Sequence, residues 1–202
     1  MTLQRLVLWR HGETDYNAQT RMQGQSDASR LTPVGLGQAQ RAAPVLAKAM
    51  PDVLVTSDLS RAADTAALLG DLLGQDPVVD VRLRETHLGE WQGLTHAEVD
   101  ARWPGARARW REDPQWRPPG GERRVDVAAR AAEVVDGLDA AGPASAVLCT
   151  HGGLVSGLTP LLLGLPESTW FTFAGLSNCH WTELERWQGR WRLRAHNTAA
   201  PL

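Results

Sequence analysis

Apolar positions along the chain fall into two kinds of segment that alternate. Leu6-Val7-Leu8-Trp9 is a short continuous apolar run, as expected of a strand covered on both faces. Thr32-Pro33 then supplies a capping side chain and a proline suited to a first helical turn, which predicts a helix reaching about Met50, before Pro51. Val53-Leu54-Val55 predicts a second buried strand. Ser57 and Asp58 are capping residue types ahead of the stripe Leu59, Ala62, Ala66, Leu69 and Leu73, which is spaced for one face of a helix. Val78 to Val81 predicts a third strand, so the first 81 residues read β-α-β-α-β.

The pattern breaks in the middle of the chain. Residues 83–121 carry Trp91, Trp103, Trp110 and Trp116 among turn formers, Pro104-Gly105 interrupts any long helix, and Pro118-Pro119-Gly120-Gly121 closes the stretch. Short helices and loops forming a cap are predicted here, with the tryptophans building a small core of their own. Trp91 and Trp116, near Glu85 and the glycine pair, are the candidates to stack on a sugar ring. Regular patterning then returns. Glu122 to Leu138 carries the stripe Val125, Ala128, Ala132, Val135 and Leu138; Ala146 to Cys149 is a fourth apolar run; and Gly152 to Leu163 suits a helix. Cys179 to Leu184 and Trp191 to Ala195 alternate around Gln188-Gly189, which predicts a hairpin. Together these elements predict a three-layer α/β/α fold with a mostly parallel central sheet and a small helical and loop cap. The length suits a single domain over residues 1–202, with a cap-like insertion at about 83–121.

Composition removes several function classes. The net charge of -2 and pI near 6.3 carry no basic excess that would predict a nucleic-acid partner. No run approaches the roughly 20 apolar residues of a membrane span, and the first apolar run is too short for a signal peptide, so a cytoplasmic location is expected. Cys149 and Cys179 form no CxxC pair and lie among apolar residues, which predicts small core side chains.

In a doubly wound sheet, ligands bind beyond the carboxyl ends of the strands. That edge is where Arg10-His11 follows strand one, Ser57 to Arg61 follows strand two, Arg84-Glu85-Thr86-His87 follows strand three, and His151-Gly152-Gly153 follows strand four. Guanidinium forks and imidazoles together suit a phosphate or carboxylate anion. A neutral histidine as nucleophile and a glutamic acid as proton donor suit phosphoryl transfer in particular. His87 and His96, with His11 and His151, raise zinc as an alternative, but no ligand spacing supports it; neither a metal nor another cofactor is expected.

RHGET, SDLSRAADT, RLRETHLGEWQG and THGG stand here in the order seen in the histidine phosphatase (phosphoglycerate mutase-like) superfamily, which the chain resembles. Within it, RMQGQSD, RETHLGEWQGLTHAEVD, PGARARWRED and GGERRVDVAAR are similar to the actinobacterial glucosyl-3-phosphoglycerate phosphatases over roughly residues 3–185. The resemblance implies that His11 becomes the phosphohistidine, and that Arg10, Arg61 and His151 hold the transferring phosphoryl group. It implies that Glu85 protonates the leaving oxygen and then activates water. Asn17 and Gln23 would donate further hydrogen bonds, and His87 would line the pocket mouth. Gly12 and Gly152 would let backbone approach the phosphate. Glu13 would orient the loop or a neighbouring histidine. The implied partners are a small phosphorylated substrate and a second copy in a homodimer. Three other functions share these residues: a broad-specificity phosphatase, a phosphoglycerate mutase and a non-catalytic phosphate-ester binding module.

Overall fold

The computed structural model describes residues 2–201. Strand β1 (Arg5–Arg10) leads through the short helix α1 (Asp15–Ala18) to α2 (Pro33–Ala47), β2 (Val53–Thr56), α3 (Ser60–Leu73) and β3 (Val78–Val79). The middle of the chain holds α4 (His96–Arg102) and α5 (Ala106–Trp110) among turns. Then come α6 (Arg124–Ala141), β4 (Ser145–Thr150), α7 (Gly152–Leu162), β5 (Trp181–Trp187) and β6 (Arg190–Thr198). The sheet order is β3-β2-β4-β1-β5-β6; the first four strands pair in parallel, and β5 pairs antiparallel with both β1 and β6.

Alternation along the strands splits the core into two layers. Leu6 and Leu8 of β1 with Ala146 and Leu148 of β4 pack against Val127, Ala131, Val134 and Val135 of α6 and Leu154, Val155 and Leu158 of α7. Trp9, Leu54, Val147 and Cys149 face the other way, onto Ala39, Ala42, Ala43 and Leu46 of α2 and Ala62, Ala66 and Leu69 of α3. Each leucine so buried contributes about 1.5–3 kcal/mol. The small alanines let α2 and α3 lie close to the sheet, and Cys149 and Cys179 are buried free thiols, as their surroundings predict. A third cluster holds Met22, Leu88, Trp91 and Val99 with Trp103, Trp110 and Trp116 against them. This is the small tryptophan core expected of the cap segment.

Several local expectations need correction. Val78 and Val79 form only a two-residue strand, both are exposed, and Val81 already begins a 3-10 turn. Helix α3 is not capped by Ser57 or Asp58. Its first free N–H, on Ser60, is taken by Asp27 Oδ1 at 2.8 Å, while Asp58 forms a bidentate pair with Arg84. Helix α6 starts at Arg124, and its buried face is Arg124, Val127, Ala128, Ala131, Val134 and Val135; Val125, Ala132 and Leu138 are half-buried at its flanks. The helix is turned because Arg124 points inward, donating to the Gly153 and Thr86 oxygens. The hairpin is longer than expected, and it turns at Gln188-Gly189, both at positive φ (50° and 79°).

Candidate active site

The carboxyl ends of β1, β2 and β4 open into a cavity of about 160 Å³ roofed by the cap. Another, larger cleft of about 280 Å³ lies at the opposite end of β1, against Val7, Leu46 and Trp181, and holds no histidine.

His11 leaves β1 buried, at 2% exposure. Its Nδ1 lies 2.7 Å from Gly12 O. A carbonyl only accepts, so Nδ1 carries the proton and, in the neutral ring, the lone pair sits on Nε2. Burial, with the charges of Arg61 and Arg10, holds the ring well below its ordinary pKa of 6.5, so it is neutral at physiological pH. His151, fully buried at the end of β4, lies with its ring centroid 5.2 Å from that of His11. Neither of its ring nitrogens has a hydrogen-bond partner among the described residues, and burial lowers its pKa likewise.

The two arginines are held by backbone oxygens rather than by carboxylates. Arg10 donates through Nη1 to Leu176 O, and Arg61 through Nη2 to Gly24 O (2.7 Å) and Nη1 to Ser26 O (3.0 Å). Carbonyls orient a guanidinium without neutralising it. Desolvation lowers the Arg61 pKa to about 10, which still leaves it charged at neutral pH.

Glu85 sits across the cavity. Its Oε1 accepts from Thr86 N at 2.7 Å and its Oε2 from Gly153 N at 2.8 Å, in the first turn of α7. Arg130 fixes the loop that carries it, donating to the carbonyls of Arg82, Arg84 and Glu85. Asn17 and Gln23 also line the cavity. Asn17 Oδ1 is occupied by Thr14 N, Thr14 Oγ1 and Asn178 Nδ2, which leaves its amide hydrogens. Gln23 Oε1 accepts from Ser29, with the same result.

Other expected residues stand elsewhere or do other work. His87 is not on the wall; its Nδ1 accepts from Gly89 N at 3.2 Å within its own turn. Gly12 is required by α2: a Cβ there would sit 2.5 Å from Gly35 O. At Gly152 a Cβ would come within 3.3 Å of Arg10 Nε. Glu13 orients the loop, accepting from Thr32 Oγ1 at 2.8 Å. Trp91 and Trp116 pack on each other, and the tryptophan that lines the cavity is Trp110.

Gly153, which the sequence puts at this edge with His151 and Gly152, touches Glu85 directly. Three further contributors lie outside the site that the sequence predicts. Arg124 is buried beneath Trp110, its guanidinium 4.7 Å from the ring centroid. Asn178 bridges Asn17 and His11 O. His96 lines the cavity instead of joining a metal cluster; no group of three or more possible metal ligands occurs among the described residues.

A model of the histidine phosphatase superfamily (branch 1) matches residues 6–199. The chain is 50% identical to glucosyl-3-phosphoglycerate phosphatase of Mycolicibacterium vanbaalenii, over 100% of this chain and 98% of that protein. It is 31% identical to a probable phosphoglycerate mutase of Yersinia pestis, over 92% of this chain and 86% of that protein. The structure of a mycobacterial glucosyl-3-phosphoglycerate phosphatase in complex with VO3 superposes with a TM-score of 0.94 at 51% identity, covering 97% of this chain and 100% of that one.

Proposed function

This chain belongs to the histidine phosphatase superfamily, and we propose that it hydrolyses glucosyl-3-phosphoglycerate to glucosylglycerate and phosphate through a phosphohistidine on His11. The observation that carries the mechanism is the His11 tautomer. The Gly12 carbonyl takes the Nδ1 proton, and burial beside two arginines keeps Nε2 unprotonated. The substrate rests on the full-length identity to the Mycolicibacterium enzyme.

In the first step the Nε2 lone pair forms a bond to phosphorus and the ester P–O bond breaks. The leaving oxygen takes a proton from Glu85. Arg10, Arg61 and His151 hold the equatorial oxygens, where the transferring group carries its charge, and Asn17 and Gln23 donate from the side. In the second step Glu85 takes a proton from water, the water oxygen bonds to phosphorus, and the P–N bond breaks. Histidine, carboxyl group and free phosphate are restored.

We also read residues 83–121 as the substrate-selecting cap of a single domain. The assembly is a homodimer, and exposed Leu72, Val78, Val79 and Val81 offer apolar surface at the β3 edge for a second copy. A highly charged phosphate ester does not cross membranes unaided, which suits an enzyme of the cytoplasm.

Phosphate release from glucosyl-3-phosphoglycerate, 3-phosphoglycerate and sugar phosphates tests the substrate. The first is expected to show the highest kcat/KM, and equal values would replace it with a broad-specificity phosphatase. A requirement for bisphosphoglycerate, with no net phosphate release, would favour the mutase that the Yersinia relative suggests. Substitution His11→Ala should abolish release; unchanged activity would remove the phosphohistidine.

A further inference from the structure

His11 is held by more than the carbonyl that sets its tautomer. The peptide unit after it is pinned at both ends. Gly12 N donates to Thr65 Oγ1 at 3.1 Å, and His11 O accepts from Cys179 N at 3.1 Å and from Asn178 Nδ2 at 3.2 Å. In the next unit Glu13 N donates to Gln38 Oε1 at 2.9 Å, while Gly12 O takes the His11 Nδ1 proton. His11 N itself donates to Thr150 O at 3.0 Å. Every polar group of the main chain from His11 N to Glu13 N is therefore engaged.

Asn178 differs from the other partners because it serves two residues of the site at once. Its Nδ2 has two hydrogens, and the second goes to Asn17 Oδ1 at 3.1 Å. Its orientation is forced, since a flipped amide would turn its oxygen toward two other acceptors. Asn178 itself is not on the cavity wall. The segment that carries it also accepts from Arg10, through Leu176 O and His180 O, and from Trp9 Nε1 through Cys179 O. Within that segment Cys179 has φ 58°, a left-handed conformation that a side chain adopts only at a cost. The strained turn brings the Cys179 N–H and the Asn178 amide to the same oxygen.

We propose that Asn178 is a positioning residue for phosphoryl transfer: it ties the His11 peptide to Asn17, and so fixes the attacking nitrogen relative to the amide that donates to the transferring group. Binding of phosphate in the ground state depends chiefly on the charges of Arg10 and Arg61, which Asn178 does not supply. Bond formation at Nε2 needs the ring and Asn17 in register, so the tie acts in the transition state. The inference rests on the phosphohistidine reading above and adds to it a residue that touches no reacting atom.

The test compares a transition-state mimic with a ground-state ligand. Orthovanadate takes the five-coordinate geometry of the transferring group when His11 Nε2 bonds to vanadium, whereas inorganic phosphate needs only the clamp. In Asn178→Leu the inhibition constant of vanadate is expected to rise about tenfold and that of phosphate less than about threefold, with kcat for an alkyl phosphate down about tenfold and KM little changed. That is less than the roughly 100-fold cost of a misplacement of about 1 Å, because Cys179 N still holds His11 O. Asn178→Ala removes the same amide without apolar bulk and should show the same split, so a folding defect in the leucine variant does not decide the outcome. Asn197→Ala is the control. Asn197 Oδ1 accepts from Ser177 N at 2.9 Å and holds the same segment from β6, with no bond to His11, Asn17 or Arg10. This variant should lower the melting temperature and leave the ratio of the vanadate and phosphate constants within about twofold of wild type. A ratio unmoved in both Asn178 variants would overturn the proposal. So would an equal change in Asn197→Ala, which would make the effect one of segment stability. In His11→Ala vanadate should lose its advantage over phosphate altogether; if it keeps it, the phosphohistidine reading fails on its own account, whatever the Asn178 variants do.

Discussion

Gly153→Ala perturbs the placement of Glu85 most closely, with Arg124 the other side chain that its Cβ would press. An added Cβ would stand 2.2 Å from Glu85 Oε1 and 2.6 Å from Arg124 Nη1, where real Cβ contacts essentially never fall below 3.0 Å. The carboxylate oxygen must therefore retreat by about 0.8 Å, the difference between 3.0 and 2.2 Å. It is the mobile end of a side chain, so the backbone need not yield. Gly153 lies inside α7 and is not at positive φ, so alanine suits its conformation and even favours the helix by about 0.5–1 kcal/mol. What the retreat breaks is the bond from Gly153 N to Glu85 Oε2, now 2.8 Å. A hydrogen bond to a charged group is worth about 1.5–3 kcal/mol. A displacement of about 1 Å at the reacting groups costs on the order of 100-fold, or about 2.7 kcal/mol. The two routes agree on a 10- to 100-fold fall in kcat for an alkyl phosphate, with the melting temperature held or raised. p-Nitrophenyl phosphate needs no proton for its leaving group, so rapid mixing should show a nitrophenolate burst close to wild type and a slow steady state, limited by water activation. Alkyl phosphate turnover within threefold of wild type would refute the acid–base role of Glu85.

Gly12→Ala brings a Cβ to 2.5 Å from Gly35 O, which is backbone and cannot step aside, so urea unfolding should show a loss of about 1–3 kcal/mol. Stability should fall with acid: His11 and His151 titrate well below 6.5 when folded and near 6.5 when unfolded, so the unfolded chain takes up protons first as pH drops. The contribution is intact above about pH 6.5 and is lost below it by up to about 1.4 kcal/mol per pH unit per histidine, until the folded rings titrate. Melting curves from pH 7.5 to 5.5 should therefore slope less steeply in His151→Asn than in wild type; equal slopes would contradict the buried neutral ring. Arg124→Met removes the contacts to Gly153 O and Thr86 Oγ1 beneath Trp110, and should lower kcat about tenfold while moving KM little. A KM effect alone would make Arg124 a binding residue.

How much of this was legible depends on how far apart in the chain the partners lie. Arg10, His11, Arg61, Glu85 and His151 can be grouped from the sequence because each follows directly on a strand or on the loop or helix start behind it, and strand ends in a parallel sheet share one edge. What escaped is built across the chain. Asp27 caps α3 from 33 residues away, and Arg124 meets Gly153 over a separation of 29. The stripe on α6 was misphased for the same reason: a buried arginine breaks the rule that polar residues face out, and only its partners on α7 and in the cap explain the rotation. His87 was assigned to the pocket by its neighbours in sequence, yet a tight turn at Gly89, at φ 52°, carries it aside. The sequence favours Trp91 and Trp116 over Trp110, which is the ring that lines the cavity, because which ring does so depends on how short helices dock.

The polar groups that folding leaves unpaired explain why this edge of the sheet acts as a site. Arg61 Nε, Arg10 Nε and both ring nitrogens of His151 are buried with no partner among the described residues. Such groups are rare in native proteins, and each costs about 1–3 kcal/mol. Here all four belong to residues that flank His11: the His151 ring centroid is 5.2 Å away, and both arginines are close enough to lower the pKa of each ring. A stability-driven design would have placed a carboxylate between Arg10 and Arg61, where only carbonyl oxygens now hold them. In the proposed mechanism that carboxylate would stand where the transferring phosphate is to bind. Holding the arginines by neutral carbonyls keeps their charge undiminished and their geometry set before the ligand arrives, so little reorganisation is needed at the moment of transfer. The same desolvation that penalises the cations also keeps the His11 lone pair unprotonated. In the proposed mechanism one burial event thus prepares both the nucleophile and the clamp, and its cost falls on the fold.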